Sequence, residues 1–496
     1  MATSLARGFV SILGARVATI GLHIAITPLL VRYLGAEYGD YAFLLSLSAV
    51  TLVFVDSLFD GVRKFVSEDR EAVEWEATVF GFYVRVTVLA SVAVVLAVVL
   101  AVESGLVVSV LSARFVPYLY LLGGIVVVQQ FFTVGRSTLM GLGYEHLSEP
   151  LTSVEKFLFG VLAVVFLEWG WGVVGVLLSQ TITYSLVLVA ALWFISRELP
   201  LRSALTLAPT SFPRREVLSF NTVTAVYLLL ANTLIHVDVL LLRPTVGSLE
   251  TGYYKAALLV AEFLWIVPIA MENLLVHSSS GMSSRGEHRR IERLTARMTR
   301  YVTLLTSLMI LVVGASAHVL VPLYFGAAYA PAVGPALLLL PGALGFAIAR
   351  PLIGVVQGTG HLRVLVGATA VAAVLNLALN LALIPRYGMY GAAVATSVSY
   401  GSMLGLHVWS SRKSGVDPAA DFRFPRVATT VFATALAVFG VVTAGPPTLP
   451  TVLTAGLVGT VVHAIVAVKT RAVDGEDIAL FLSLLPPPVR EVISSR

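Results

Sequence analysis

Six basic side chains, Arg16, Arg85, Arg136, Lys156, Lys255 and Arg350, stand inside stretches that are otherwise almost free of charge. A cation in a long apolar helix is costly, so such residues usually face a cavity or a partner. A guanidinium stays protonated and binds two oxygens at once, which suits phosphate. The chemistry on offer is therefore binding of an anionic head group, with no covalent step. Plainer readings stand beside it. Arg85, about two turns from the inner end of its helix, can simply snorkel. Arg136 and Arg350 lie within reach of the inner interface, so each is either an anchor or one of a pair of site residues at the inner ends of counterpart helices. Lys156 adjoins Glu155, and adjacent helical residues are expected to point apart rather than to pair.

Four acids share these stretches: Asp56, Asp238, Glu262 and Glu272. They are candidates to take a coupling proton or sodium ion, or to neutralise the cations. Asp238 with His236 forms the more suggestive local cluster, for which a structural ion pair is the plainer reading. His23, His318, His407 and His463 stand alone in apolar helices and read as satisfying local hydrogen bonds rather than binding metal. The chain has no cysteine, which excludes disulfides, thiol chemistry and Cys-ligated metals.

The elements that carry these residues follow from the apolar runs. No Asp, Glu, Lys or Arg occurs from Tyr301 to Ala349, nor from Val427 to Val468. About 20 apolar residues suffice to cross ~30 Å of hydrocarbon. With 57% hydrophobic and 12% charged residues, and a mean hydropathy of +0.90, the chain reads as an all-α polytopic membrane protein. Fourteen spans are predicted near 9–34, 41–62, 78–101, 115–141, 147–168, 172–195, 217–242, 250–276, 300–320, 331–357, 362–384, 388–410, 427–444 and 451–469. Pro446 and Pro447 after Gly445, the Pro385 to Gly388 stretch and the Gly141 to Gly143 stretch mark reversals. Internal Pro28, Pro268, Pro341 and Pro351 predict kinked helices. Met1 to Gly8 lacks a signal-peptide layout, so the run after it reads as a retained first span. Connections this short favour a transporter over a membrane enzyme, which needs an extramembrane face to hold substrate. There is no basic domain or aromatic platform for nucleic acid.

Lys and Arg set the orientation. With a cytoplasmic amino terminus, inside segments carry 23 basic residues and outside segments only Arg32, Arg114, Arg243 and Arg386. Both termini are therefore expected in the cytoplasm, with the protein in the plasma membrane. The Arg285 to Arg300 segment reads either as an amphipathic helix on the inner surface or as a solvated extension of the ninth span. A weak repeat supplies the architecture. Gly172 to Tyr184 aligns with Gly388 to Tyr400 at an offset of 216, Gly143 with Gly360 at 217, and Gly39-Asp-Tyr41 with Gly252-Tyr-Tyr254 at 213. Six spans separate the copies, so the halves share one orientation, related by a pseudo-two-fold axis along the membrane normal with substrate bound between them. The expected organisation is an N-lobe over 1–195, a cytoplasmic linker over 196–216 and a C-lobe over 217–410. A loop over 411–426, two further helices over 427–470 and a cytoplasmic tail over 471–496 complete it.

The stretch Leu30 to Tyr41 resembles the first hairpin of polysaccharide-type members of the multidrug, oligosaccharidyl-lipid and polysaccharide (MOP) exporter superfamily. Gly252-Tyr-Tyr254 followed by Ala257 and Pro268 resembles their eighth span. Gln357-Gly-Thr-Gly360, Leu375-Asn376, Leu379-Asn380, Leu383-Ile-Pro385, Tyr387-Gly388 and Gly391 to Thr396 follow in the same order as in that family. The resemblance covers roughly residues 9 to 410. It implies two parallel-repeat six-helix lobes plus two C-terminal helices, no cofactor, and flipping of a polyprenyl-phosphate-linked glycan for surface polysaccharide or glycoprotein assembly. The partners it implies are the lipid-linked glycan, membrane lipids, H+ or Na+, and glycan-assembly enzymes. The alternatives are an ion-coupled multidrug exporter of the same fold, whose cavity should be rich in acids and aromatics, and a membrane polysaccharide polymerase or ligase, which should show a large outside loop.

Overall fold

The computed structural model describes residues 19–68, 70 and 74–475, and among them every regular element is helical. Helix α1 spans 19–34 and turns through the short 3-10 segment Gly35–Glu37 into α2, Tyr38–Val66. There follow α3 (Trp75–Glu103), α4 (Phe115–Gly141), α5 (Glu145–Glu168), α6 (Gly172–Ile195) and α7 (Arg214–Val246). The next span is broken into α8a (Ser248–Phe263) and α8b (Ile266–Ser284), and α9 (His288–Phe325) and α10 (Val333–Gly358) come after it. The helical stretch Leu362–Lys413 breaks at Gly388, with φ 55° and ψ −133°, into α11 (362–387) and α12 (389–413). Helices α13 (Phe424–Ala444) and α14 (Leu449–Lys469) end the bundle.

Among the described residues eleven segments are long and apolar enough to cross a membrane, or twelve with the broken pair α8a and α8b taken as one span. Two of those segments are double. Leu362–Lys413 has 52 residues, about 78 Å of helix, and turns at Gly388. The segment starting at Thr19 folds back at Gly35: α1 rises beside α5, from Ser153 opposite Thr19 to Glu168 opposite Tyr33. Helix α2 returns, with Val66 against Gly141 just before α5 begins. Counting both as two gives the fourteen spans expected. The 50° bend between α8a and α8b follows from Pro268, which has no N–H to offer the carbonyl of Leu264. The outward faces are apolar, as on α3, where Leu89, Val92, Leu96 and Leu100 are all exposed. Helices in lipid associate through close contact of small residues rather than through a hydrophobic drive. Accordingly Gly342 meets Ser397, Gly345 meets Gly401, and Gly354 meets the backbone of Glu272.

The repeat has a physical counterpart. Gly143 and Gly360 both adopt φ +82°, and each donates to the carbonyl three residues back, at 3.0 Å in both cases, to close a helix. Gly141 lies against Val66 and the Arg63 carbonyl, and Gly358, offset by 217, lies against Ser279 and the Val276 carbonyl, each offset by 213. Gly172 and Gly388 have φ +51° and +55°, and a Cβ there would meet the carboxylate of Glu37 or Glu250 at 2.9 and 2.6 Å. Those two glutamates are also 213 residues apart. Four contacts thus recur at the offsets seen in the sequence.

Packing divides the chain into two compact units, Met1–Lys255 with Ile384–Met389, and Ala256–Leu383 with Tyr390–Arg496. In the first, α7 runs antiparallel along the whole of α2. Glu216 meets Arg70 at one end, 2.9 Å apart, Asn221 donates to the Tyr83 hydroxyl beside Gly61, and Arg243 meets Asp40 at the other. In the second, the buried Arg300 binds Asp421 at 2.8 Å and Asp474 at 2.6 Å, tying α9 to the segments before α13 and after α14. These units follow packing, whereas the lobes expected from the repeat follow symmetry.

Candidate functional site

In the first unit α2, α4, α5 and α6 enclose a cavity of about 190 Å³ whose polar lining is Ser48, Gln129, Lys156, Gln180 and Tyr184. Gln180 donates to the Tyr41 hydroxyl at 3.4 Å. Lys156 Nζ lies 3.2 Å from a Glu155 carboxylate oxygen. This corrects the expectation that neighbours on a helix turn apart: their Cβ atoms do, but both side chains are long enough for their tips to meet. Nearer the basic ends of the helices, Arg136 Nη2 donates to Glu149 at 2.7 Å and the guanidinium lies 5.2 Å from the Phe59 ring centre. Its Nε is buried without a hydrogen-bond partner among the described residues. Asp56, one turn before Phe59 on α2, is exposed on its unit.

Two of the other candidate charges of this unit have partners of their own. Arg85 donates to the carbonyls of Ser203 at 3.3 Å and Ala204 at 3.4 Å, and to that of Thr206, so it holds the linker before α7. Asp238 is fully buried and accepts from the Tyr254 hydroxyl and from the Val239 amide, the latter at 2.7 Å. Lys255, beside Tyr254, is buried. Arg16 lies outside the described residues.

Sequence reasoning missed Asp40. It is 0% exposed yet faces Arg114 at 2.8 Å as well as Arg243, while its amide donates to Ser248 Oγ at 3.0 Å. All three charges sit at helix ends and read as loop residues. The available signal was Gly39, whose missing Cβ lets α2 press on the Ser248 carbonyl and the Gly252 amide, the partner anchor of the repeat.

In the second unit Arg350 Nη1 donates to Glu272 at 2.9 Å, with side chains only 14% and 11% exposed. The guanidinium stands 4.3 Å from the Phe346 ring centre and 6.0 Å from that of Trp265. Phe346 in turn stacks on Tyr400 at 4.9 Å, and Trp265 donates to the Ala343 carbonyl at 3.3 Å. Arg350 Nε is buried without a partner among the described residues, as are both ring nitrogens of the fully buried His407. Glu262 is half-buried. Arg136 and Arg350 are therefore built alike: each has one carboxylate, an aromatic face and one unused donor. They are not strict counterparts, since their offset is 214 rather than 217. By the 213 offset it is Phe59 that corresponds to Glu272, so the same place on α2 and α8b carries a ring in one copy and a carboxylate in the other.

No model of a known protein family matches this chain, and no curated protein does. Among solved structures it is similar to the lipid II flippase MurJ in an inward closed conformation. That match has a TM-score of 0.76 and 13% identity, and covers 93% of this chain and 98% of that one. It is also similar to a multidrug resistance MATE family transporter of the MOP superfamily, inward-facing, with a TM-score of 0.70, 13% identity and coverage of 79% and 94%. A third match is a MOP superfamily transporter from Pyrococcus furiosus whose binding pocket is described as reversed in polarity, with a TM-score of 0.57, 14% identity and coverage of 83% and 95%. The chain has the fold of MOP-type transporters.

Proposed function

We propose that this protein is a flippase that moves a polyprenyl-(pyro)phosphate-linked oligosaccharide from the cytoplasmic to the outer leaflet of the plasma membrane by alternating access, with both termini cytoplasmic. The symmetric lobes are 9–195 and 217–410. The observation that carries the reading is the unused, buried Nε of Arg136 and of Arg350. A guanidinium that already holds a carboxylate and still has a desolvated donor gains a hydrogen bond when a phosphate oxygen arrives, and the phosphate can exchange places with the glutamate. Arg136 and Arg350, with Lys156, Lys255 and Arg16, take the head group in turn, while Arg85 serves the linker. Asp56, Asp238, Glu262 and Glu272 are the acids placed to take a coupling proton or sodium ion.

A second reading gains from one observation. Lys156, Arg136 and Arg350 each have a glutamate of their own, so these places are close to neutral, and an ion-coupled exporter of cationic drugs could use the carboxylates instead. Proteoliposomes separate the two. With a fluorescent polyprenyl-pyrophosphate glycan, the flippase exposes the head group to an impermeant quencher and is indifferent to cationic dyes. A protein that accumulates dye on an ion gradient and leaves the glycan lipid in place refutes the proposal.

A further inference from the structure

At the basic end of the second unit, the last turns of α8b and the first turns of α9 enclose an open cleft of about 590 Å³. The charge rule makes this end cytoplasmic. Helix α9 is 38 residues long, about 57 Å, far more than the ~30 Å of hydrocarbon requires. His288 to Arg300 is thus continuous with the ninth span rather than a separate helix. Arg290, Arg293 and Arg297 recur at i, i+3 and i+7 and share one face of it, and Arg285 closes the cleft from α8b.

Among the described residues the cleft is short of carboxylates. Glu287 serves both Arg285, at 2.6 Å, and Arg290, at 2.9 Å. Arg297 is 3.8 Å from Asp474, which also holds Arg300 and Arg423. Arg293 donates to the Arg289 carbonyl at 3.3 Å. Among the described residues, Arg285, Arg290 and Arg293 thus have one carboxylate between them, and two of the three are already oriented by it. Met282 and Leu294 give the cleft an apolar side. The corresponding corner of the first unit has the opposite character: its cleft is lined by Glu68, Glu74 and Glu76 with a single Arg70. Membrane orientation alone does not ask for that difference between two copies of one structure.

We infer that the cleft binds the phosphoryl head of a lipid, the arginines taking the phosphate oxygens and Met282 and Leu294 meeting the start of the chain. The shared chemistry is a lipid phosphate, whether on an isoprenoid carrier or a bilayer glycerolipid. The inference concerns binding and stands apart from transport.

The full chain, purified in neutral detergent, is titrated with polyprenyl phosphate, phosphatidic acid, phosphatidylcholine and inorganic phosphate, and bound molecules are counted by native mass spectrometry. R290Q/R293Q changes two exposed arginines and should weaken one or both lipid phosphates by about tenfold or more, given the strength of hydrogen bonds between charged groups. R412Q/K413Q, an equal loss of charge elsewhere at the same end, should stay within about twofold of the parent. Loss confined to polyprenyl phosphate identifies a carrier site, and loss of phosphatidic acid identifies a bilayer-lipid site. Unchanged lipid binding in R290Q/R293Q, the same loss in R412Q/K413Q, or inorganic phosphate binding as tightly as either lipid overturns the inference.

Discussion

The pair Arg350–Glu272 allows transport and stability to be separated. At 2.9 Å and an effective dielectric of about 20, the attraction is about 6 kcal/mol before desolvation. Desolvation of both groups offsets most of it, so the pair as a whole adds little. Removing one member is different, because the other is then left buried and unpaired, at about 3–5 kcal/mol. With both side chains under 15% exposed, little screening reduces that figure. R350M should therefore unfold at clearly lower temperature, near the 3 kcal/mol end, as followed by Trp265 fluorescence in detergent. R350M/E272M, which replaces the pair by side chains of similar volume, should return to within about 1 kcal/mol of the parent. Glycan-lipid flipping in proteoliposomes should be lost in both, and R350K should retain part of it, since an ammonium lacks the two-pronged geometry. A stable R350M/E272M that flips at the parental rate would show the pair to be structural only. An R350M of unchanged stability would refute the burial argument itself.

Other expectations are simpler to test. G141A and G358A should each destabilise by about 1–3 kcal/mol in thermal unfolding, because the added methyl overpacks a contact with Val66 or Ser279, and the two effects should be alike if the repeat is genuine. In intact cells an impermeant thiol reagent should label T448C from outside and leave S283C unlabelled; the converse pattern would invert the charge-based topology. Asp421 and Asp474 lie below the usual carboxylate range: burial pushes them up, but hydrogen bonds and charge from Arg423 and Arg300 outweigh it. Their stabilisation is thus complete above the unfolded value near ~3.9 and is lost as pH falls through the lowered one. The unfolding temperature should then be flat from pH 8 to 5 and drop below about pH 4, with a shallower acid limb in D474N.

Much of the fold was legible because the bilayer imposes lengths. Helices α4 and α6 begin and end at the residues where apolar run and turn glycine place them. Extensions into water were less so: α9 starts at His288, twelve residues before the expected span, because Arg and Glu form helix readily and nothing apolar marks the boundary. The break after Phe263 was visible only as Pro268, five residues downstream, since proline disrupts the turn before it. At the site, buried charge could be listed but its partners could not. Glu149 falls inside the fifth expected span and was not singled out with the other acids, yet it is the carboxylate of Arg136, thirteen residues away and on the next helix. Asp40 and Arg243 are 203 residues apart in the chain, and no local pattern joins them.

The two copies of the repeat agree and differ in different materials. They agree in backbone. The positive-φ glycines at 143 and 360, the left-handed starts at 172 and 388, and the close approaches at 141 and 358 fix where helices end and how near they come, and none of these accepts a side chain without strain. They differ in charge. The ring of Phe59 becomes the carboxylate of Glu272, and the acidic corner of Glu68, Glu74 and Glu76 becomes the arginine cleft around Arg290. A purely structural charge would be held to the same packing rules as the glycines and would recur with them. Charge that changes sign between copies while the backbone stays in register is free of those rules. Under the proposed flippase function, a cargo with a head group on one side and a lipid chain on the other gives the two halves reason to place charge differently.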